Sequence, residues 1–524
     1  MFTIRNARNA LNHLRRGSES QGYSTVAGST TIESEPTPHS KKQGKVHAGI
    51  WVIVGFVLSS LLSAGVVHHT VRGNSIVREG LSTAETCDTI AKFEEAGGVR
   101  LGPTESSLAG VGKGGVPGPR ELLAHQAPNS SIYDNLQPDL RYLTADSLTG
   151  EVGQFLSAIS LLHLGRETQR ISIIPSIWRD KDHYGSSQVR MSELFDMERF
   201  RQDTGTLFVE WSDAKIFDSS WFGEKDEIGC YFSWNGWTHG ASFADYGVST
   251  TAWSVERPYG FASNSIEGHI LFDYDIPTRR RLTQEVAKST NRKIPKNMES
   301  NQLMCYTNIW ALSRAGTSAP ETFWNRDYKD FDGLQEKGGM IKLLHPSLRG
   351  THPEWWSVGR FIDFSLAVWE VAILAVQRTL ELETLPSSIV TVHVRRGDFA
   401  SWCPSGHGCV APLDTYKVEV DELLKVLPND TIVLVTTDET SSEFHSSLKS
   451  LGWYAVNHAA VGTAALLKER HGDASGWWDS AVDQAILSLG KGFVGTLDSQ
   501  VSLVSALRIA SWNDGETRFV KRPQ

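Results

Sequence analysis

One stretch, residues 389–399, constrains the fold more than any other part of the chain. It reads IVTVHVRRGDF, and its β-branched start favours a half-buried strand that ends at His393 or Val394. Arg395 and Arg396 follow directly. Ligands of open α/β sheets bind in the crevice beyond the carboxyl ends of the strands, and two adjacent guanidiniums there suit a phosphate group. The stretch therefore predicts an α/β protein with an anion site at this strand end.

Length and charge narrow the class of protein. A chain of 524 residues, 40% of them hydrophobic, is long enough to bury a large core in more than one domain. The net charge is -9 and the isoelectric point is about 6.0. Because binding to a nucleic-acid backbone usually needs a basic face, we do not expect nucleic acid to be a partner.

Residues 48–67 form an uncharged apolar run of the length that crosses a bilayer as one helix. Positive charges are concentrated before the run, which places the N-terminus in the cytosol. We expect a single-pass type II signal anchor, with a buried core helix as the alternative. Residues 1–47 are then a disordered cytosolic tail, and the Gly- and Pro-rich residues 68–130 are a flexible lumenal stem. The rest of the chain lies in the Golgi or endoplasmic reticulum lumen.

The chain has five cysteines, too few for a fold built on disulfides. A few bridges would still fit an oxidising lumen. Cys403 and Cys409 bracket a short loop, and we expect a disulfide between them rather than a zinc site that uses His407, since no second ligand pair is visible. Asn129 and Asn429 each begin a glycosylation sequon.

Two folded units follow the stem. In residues 131–350 a strand at 140–143, a Gly-rich loop, an apolar helix and a strand at 171–175 make a βαβ unit, which builds parallel sheets. Further candidate strands are 207–211 and 269–272. In residues 351–524 the predicted order is a helix at 361–385, the arginine strand, a helix at 413–427, a strand at 431–436, a helix from Glu439, a strand at 452–456, a helix at 477–489, a strand at 492–494 and a helix at 499–511. This alternation predicts a second doubly wound domain.

Arg395 and Arg396 alone would fit a solvated surface pair as well as a ligand site. The same domain has two more strand ends of the required kind, Thr437-Asp438 and the turn at 495–499. Small hydroxyl residues and glycine at a strand-to-helix turn expose the N–H groups of the helix N-terminus to an anion. Three such ends on one sheet edge would bind a nucleotide diphosphate.

Four segments resemble one known family. HVRRGDF, LVTTDE and GFVGTLDSQVS, in that order, are similar to three short motifs of the GDP-fucose-dependent fucosyltransferases, in particular the protein O-fucosyltransferase superfamily. GEVGQFLSAISLLHLGRETQRISIIP resembles that family's opening Gly-rich loop, helix and strand. The match covers residues 140–510. It implies a GT-B fold of two Rossmann-like domains, GDP-fucose as donor substrate, a protein or glycan acceptor, and neither metal nor cofactor.

The resemblance also implies roles for single residues. Arg395 or Arg396 would neutralise the diphosphate leaving group, and His393 and Asp438 would lie near the nucleoside. For His393 the alternative is a satisfied buried histidine in a strand. The other residues carried over as donor-binding are Asp398, Gly495, Thr496, Ser499, Ser502, Gly150, Gly153 and Gln154.

Glu151 has two interpretations. Some members of the family carry a glutamate here, which implies a general base that takes the proton of the acceptor hydroxyl. The alternative is a first-turn helix glutamate that the helix dipole favours. Gln154 stands where the family usually has asparagine, so the acceptor class stays open.

Two rival hypotheses come from other features. Asp273 and Asp275 follow an apolar run and fit the strand-end D-x-D with which GT-A glycosyltransferases hold Mn²⁺ and a nucleotide diphosphate. The absent asparagine and the second interpretation of Glu151 motivate the other hypothesis, a non-catalytic lumenal carbohydrate-binding or scaffold protein on the same fold.

Overall fold

The computed structural model describes residues 115–146, 150–177, 188–217, 226–232, 243, 246–255, 266–307, 353–397, 399, 410–471, 477–497 and 499–521. All of them belong to one compact unit, Arg78–Gln524. The predicted cytosolic tail, membrane anchor and most of the stem lie outside these residues, as do Asp398, Cys403, His407 and Cys409. No helix of the described ranges is long and apolar enough to cross a membrane.

The N-terminal half contains a parallel sheet whose described strands run in the order β3-β2-β1-β6-β4-β5. The strands are β1 (Tyr142–Asp146), β2 (Ile171–Ile174), β3 (Phe208–Glu210), β4 (Asp226–Phe232), β5 (Val248–Ser254) and β6 (Leu303–Thr307). The helices of this half are α1 (Pro119–Leu122), α2 (Ile132–Asn135), α3 (Glu151–Thr168), α4 (Met191–Leu194), α5 (Met197–Thr204), α6 (Trp211–Ala214), α7 (Ile266–Tyr274), α8 (Ile276–Thr290) and α9 (Lys296–Ser300).

The βαβ unit that the sequence predicts is confirmed as β1, α3 and β2. Helix α3 is buried on almost every side because it packs on the sheet and also against helices of the C-terminal half. Gly165 lets the helix approach β2, since a Cβ atom there would overlap the Ser172 side chain. A helix apolar all round belongs in such a core.

The predicted strand at 269–272 is wrong. These residues lie in helix α7, Ile266–Tyr274. Three apolar residues in a row after His269 fit a buried strand and a buried helix equally well, so periodicity could not separate the two. Asp273 and Asp275 therefore do not follow a strand.

The C-terminal half contains a second parallel sheet, with described strands in the order β11-β10-β7-β8-β9. They are β7 (Ile389–Val394), β8 (Ile432–Thr437), β9 (Tyr454–Ala455), β10 (Gly492–Thr496) and β11 (Glu516–Val520). The predicted strands of this half are confirmed, and β11 was not predicted. The helices are α10 (Pro353–Ser357), α11 (Leu366–Leu380), α12 (Leu413–Leu424), α13 (Ser442–Ser450), α14 (His458–Val461), α15 (Thr463–His471), α16 (Trp477–Leu487) and α17 (Gln500–Trp512), with a 3₁₀ turn at Gly359–Phe361.

One hydrophobic core joins the two halves. Phe155 and Leu162 of α3 belong to the same buried cluster as Val368 of α11 and Val482 of α16. Within the N-terminal sheet, a disulfide between Cys230 and Cys305 links neighbouring strands β4 and β6. The fold is therefore α/β, with two parallel sheets and helices packed between them.

Candidate active site

The three strand ends that the sequence singles out lie side by side. Strand β7 is the middle strand of its sheet, with β10 on one side and β8 on the other. His393 is in register with Gly495 of β10 and Thr436 of β8. Since all three strands run the same way, their carboxyl ends meet at one edge, where ligands of open α/β sheets bind.

Arg395 is fixed between the two neighbouring strand ends. Its backbone N–H donates to Thr496 Oγ1 at 2.8 Å, and its guanidinium Nη1 lies 2.9 Å from Asp438 Oδ2. The guanidinium carbon also lies 5.7 Å from the centre of the Phe399 ring. The Arg395 side chain keeps 20% of its surface exposed, so it is both held in place and open to a ligand.

Arg396 is oriented by a second set of contacts. Its backbone N–H donates to Asp438 Oδ1 at 2.7 Å, its Nε lies 3.0 Å from Glu439 Oε2, and its guanidinium stacks over Phe444 at 4.9 Å. The next residue must be small, because a Cβ atom on Gly397 would lie 2.6 Å from Asp438 Oδ2. Asp438 thus positions both arginines.

A buried hydrogen-bond network lies beneath the two arginines. His393 Nδ1 is 2.7 Å from Ser502 Oγ, which also accepts the Thr496 N–H at 3.0 Å. The Thr496 hydroxyl donates to the His393 carbonyl at 3.0 Å and lies 2.6 Å from the Tyr416 hydroxyl. Burial, and next the charge of Arg395, lower the pKa of His393 to about 3, so its imidazole is neutral at physiological pH.

These contacts bear on the remaining donor-site predictions. His393 is buried and its Nδ1 is bonded to Ser502, which fits the alternative considered for it, and its place near the nucleoside stays a prediction. Ser499 caps α17 by accepting the Ser502 N–H at 3.4 Å. Thr496 and Ser502 are fully buried, and Gly495 packs so closely on Ser502 that a Cβ atom would lie 2.7 Å from that residue's own Cβ. Their direct contact with phosphate stays a prediction.

The Gly-rich loop leads into α3. Gly150 is the residue before the helix and Glu151 is its first residue, while Gly153 and Gln154 are buried within the first turn. The Glu151 carboxylate is also buried, and its Oε2 accepts from Ser480 Oγ at 2.6 Å and from Gln484 Nε2 at 2.7 Å. Burial raises the pKa of Glu151, against the opposing effect of these bonds and of a buried arginine on α17.

Neither aspartate of the D-x-D pair directly follows a strand. Asp273 is buried in the last turn of α7, with Arg170 Nη2 2.7 Å and Arg279 Nη1 3.2 Å from its Oδ1. Asp275 caps α8 by accepting the Thr278 N–H at 3.2 Å. The interpretation of this pair as a strand-end metal site is therefore wrong. Within the described ranges no three His, Cys, Asp or Glu side chains are grouped so that they could hold a metal ion.

No protein-family model matches the sequence, and no curated protein is significantly similar to it. Solved structures do match. Among them are fucosyltransferases. The structure of POFUT1 in complex with GDP is 13% identical, with a TM-score of 0.44 over 73% of this chain and 98% of that one. A mutant of Arabidopsis thaliana FUT1 in complex with GDP is 13% identical, with a TM-score of 0.34 over 74% of this chain and 71% of that one.

Fucosyltransferase NodZ from Bradyrhizobium is 12% identical, with a TM-score of 0.31 over 71% of this chain and 94% of that one.

Proposed function

We propose that the chain is a glycosyltransferase of the GT-B type that transfers fucose from GDP-fucose to a hydroxyl of a protein or glycan, without a metal ion. One observation carries the proposal: two partly exposed arginines, each fixed by a carboxylate, lie where the ends of three parallel strands meet. The choice of GDP-fucose comes from the resemblance of the motifs around these same residues.

The arginines supply the chemistry that this transfer needs. As the bond between fucose and the diphosphate breaks, negative charge develops on the departing GDP. Fixed positive groups that face this charge lower the barrier, because they need no reorganisation during the reaction. Asp438 and Thr496 hold Arg395 in one place, which is the preorganisation that such a role demands.

The proposal extends to topology and compartment. The uncharged run 48–67, with the positive charges before it, favours a single-pass type II protein with its catalytic part in the lumen of the Golgi or endoplasmic reticulum. The Cys230–Cys305 disulfide supports an oxidising compartment, since disulfides persist there and are rare in the cytosol. Glycosidase-sensitive glycans at Asn429, an exposed sequon residue, would report lumenal exposure, and an unglycosylated protein in a secretory host would count against it.

The catalytic proposal is tested by incubating the detergent-solubilised full chain with GDP-fucose and with GDP-mannose or UDP-galactose as control donors. Release of the nucleoside diphosphate, with the fucose passing to water or to the hydroxyl of an added glycan or protein acceptor, should require GDP-fucose and should continue in the presence of EDTA. Loss of turnover on chelation would contradict the metal-independent mechanism. Binding of GDP-fucose without turnover would favour the carbohydrate-binding or scaffold alternative, which the burial of Glu151 and the presence of Gln154 motivate.

A further inference from the structure

Arg508 is a charged side chain in the middle of the shared core. It lies on α17 and is fully buried, with its guanidinium carbon 4.1 Å from the centre of the Phe364 ring. Three more aromatic rings surround it at 5.1 to 5.9 Å, those of Phe155, Phe195 and Trp512. Its Nη1 donates to Gln484 Oε1 at 3.0 Å, whereas Nε and Nη2 have no hydrogen-bond partner among the described residues.

Gln484 connects this arginine to Glu151. The amide oxygen of Gln484 accepts from Arg508, and its amide nitrogen donates to Glu151 Oε2 at 2.7 Å. Ser480, one turn earlier on α16, donates to the same carboxylate oxygen. The resulting chain of bonds, Glu151–Gln484–Arg508, crosses from α3 of the N-terminal half to α16 and α17 of the C-terminal half.

The charges in this chain depend on one another. Burial lowers the pKa of Arg508 to about 9, and the negative charges of Glu151 and Asp363 act against that shift. Arg508 is thus cationic at neutral pH. A buried charge that loses its partner is strongly destabilising, so the position of Glu151 and the charge of Arg508 are coupled across the boundary between the halves.

We propose that Arg508 is a positioning residue which, through Gln484, holds Glu151 and the first turn of α3 in the geometry that the active site needs. In this hydrogen-bond chain Glu151 is the member from the N-terminal half. Its carboxylate is held in place and does not take the proton of the acceptor. The observations that carry the assignment are the orientation of the Gln484 amide, the burial of the Glu151 and Arg508 side chains, and the burial of Glu151 Oε1, which has no hydrogen-bond partner among the described residues. It rests on the proposed transferase function.

The first experiment separates a positioning glutamate from a general base. In Glu151→Gln the new amide oxygen can still accept from Ser480 and Gln484, but the side chain cannot take a proton. We expect GDP-fucose turnover within about threefold of wild type and an unchanged pH profile, with a larger loss in Glu151→Ala. A general base contributes about 10²- to 10⁴-fold, so a loss of that size in Glu151→Gln, with normal GDP binding, would overturn the proposal.

The second experiment addresses Arg508 directly. In Arg508→Met we expect a tenfold or greater loss of kcat for GDP-fucose turnover, measured well below the unfolding temperature, with unchanged GDP affinity by calorimetry. Arg508→Lys keeps the charge opposite Glu151 and should recover part of kcat. Wild-type kcat in a folded Arg508→Met variant would overturn the positioning role.

A third pair of variants keeps the proposal testable if Arg508→Met does not fold. Gln484→Glu places a carboxylate against Glu151 in nearly the same volume, so its turnover should fall and partly recover as the pH is lowered and the pair takes up a proton. Gln484→Met removes the link without adding charge and should show no such recovery. Equal pH dependence of the two variants would contradict the proposal.

The coupling can also be measured without turnover, which separates this proposal from the proposed function. A double-mutant cycle measured by urea unfolding tests this coupling. It compares wild type with Glu151→Gln, with Arg508→Met or Arg508→Lys, and with the corresponding double variants. Non-additive shifts of the unfolding midpoint are expected even if GDP-fucose proves not to be the donor. Additive shifts would show that the two residues act independently, whatever the activity.

Discussion

Arginines occupy two opposite environments in this protein. At the edge of the C-terminal sheet, Arg395 and Arg396 keep 20% and 28% of their side-chain surface exposed and pair with carboxylates. In the core, Arg508 is fully buried and contacts aromatic rings and one amide oxygen. A guanidinium at the edge can exchange part of its carboxylate contacts for phosphate oxygens. A guanidinium in the core cannot reach a ligand, so its charge acts on the packing and hydrogen bonds of the protein itself.

The same contrast separates the acidic residues. Asp438 is partly exposed and orients the two edge arginines, whereas Asp273 is buried between Arg170 and Arg279. The comparison therefore predicts that removal of a buried charge outside the Glu151–Gln484–Arg508 hydrogen-bond chain, such as Asp273, lowers stability and leaves turnover by the folded protein intact. Removal of an edge charge should lower turnover and change stability little.

The largest effect is expected at Asp273. Asp273→Ala leaves Arg170 and Arg279 without their shared partner, and breaking a buried pair in this way costs about 3–5 kcal/mol. Urea unfolding measures the loss. Asp275→Ala is the matched control, since it removes a helix cap, a loss that costs about 1 kcal/mol. Turnover that survives in folded Asp273→Ala supports a purely structural role for this buried charge. A chelator-sensitive activity that is lost in the variant would contradict that role.

Arg395 should give the largest loss of activity. It is held between β8 and β10 and is less exposed than Arg396, so we expect it to face the diphosphate. Removal of one preorganised group of this type costs about 10²- to 10³-fold in kcat. Arg395→Ala should show that loss in steady-state kinetics with GDP-fucose, and Arg396→Ala a smaller one.

Lysine variants at both positions serve as controls for charge. Lysine keeps the positive charge but lacks the planar fork that binds two phosphate oxygens at once, so Arg395→Lys should recover activity only in part. Full transfer activity in both alanine variants would show that the phosphate assignment is wrong.

The local features of this site could be predicted from sequence because they depend on neighbours in the chain. The β-branched run before Arg395 predicts β7, as observed. The strand predicted at 492–494 is also present, but it continues to Thr496, so the turn predicted at Gly495 and Thr496 lies within β10. The apolar periodicity after Gly150 likewise predicts α3. Each of these signals lies within one element.

The features that sequence reasoning missed depend on long-range packing. Arg508 and Gln484 meet Glu151 only after both halves have folded, and an arginine within an apolar helix pattern gives no signal of its partners. The Cys230–Cys305 disulfide joins residues far apart in the chain, which spacing alone could not pair. Tyr416, bonded to Thr496, was missed for the same reason.

The smallest expected effect concerns pH and His393. Its pKa is lowered to about 3 by burial and by Arg395, against about 6.5 in the unfolded chain. The folded state therefore resists protonation, and the stability that His393 contributes is complete above pH 6.5 and is lost as the pH falls towards 3. By pH 5 the loss amounts to about 2 kcal/mol, at about 1.36 kcal/mol for each pH unit.

His393→Gln removes this titration, so the unfolding free energy of the variant should fall less steeply between pH 6.5 and pH 5 than that of wild type. His458→Gln is the control with the opposite sign. At His458 burial is outweighed by the carboxylates of Asp483 and Asp479, so its pKa is raised and its contribution to stability is lost as the pH rises. An unchanged pH dependence of the unfolding free energy in His393→Gln would show that His393 is not held neutral beneath the edge arginines. The contrast between an exposed edge and a buried core would then not extend to the residues directly beneath Arg395.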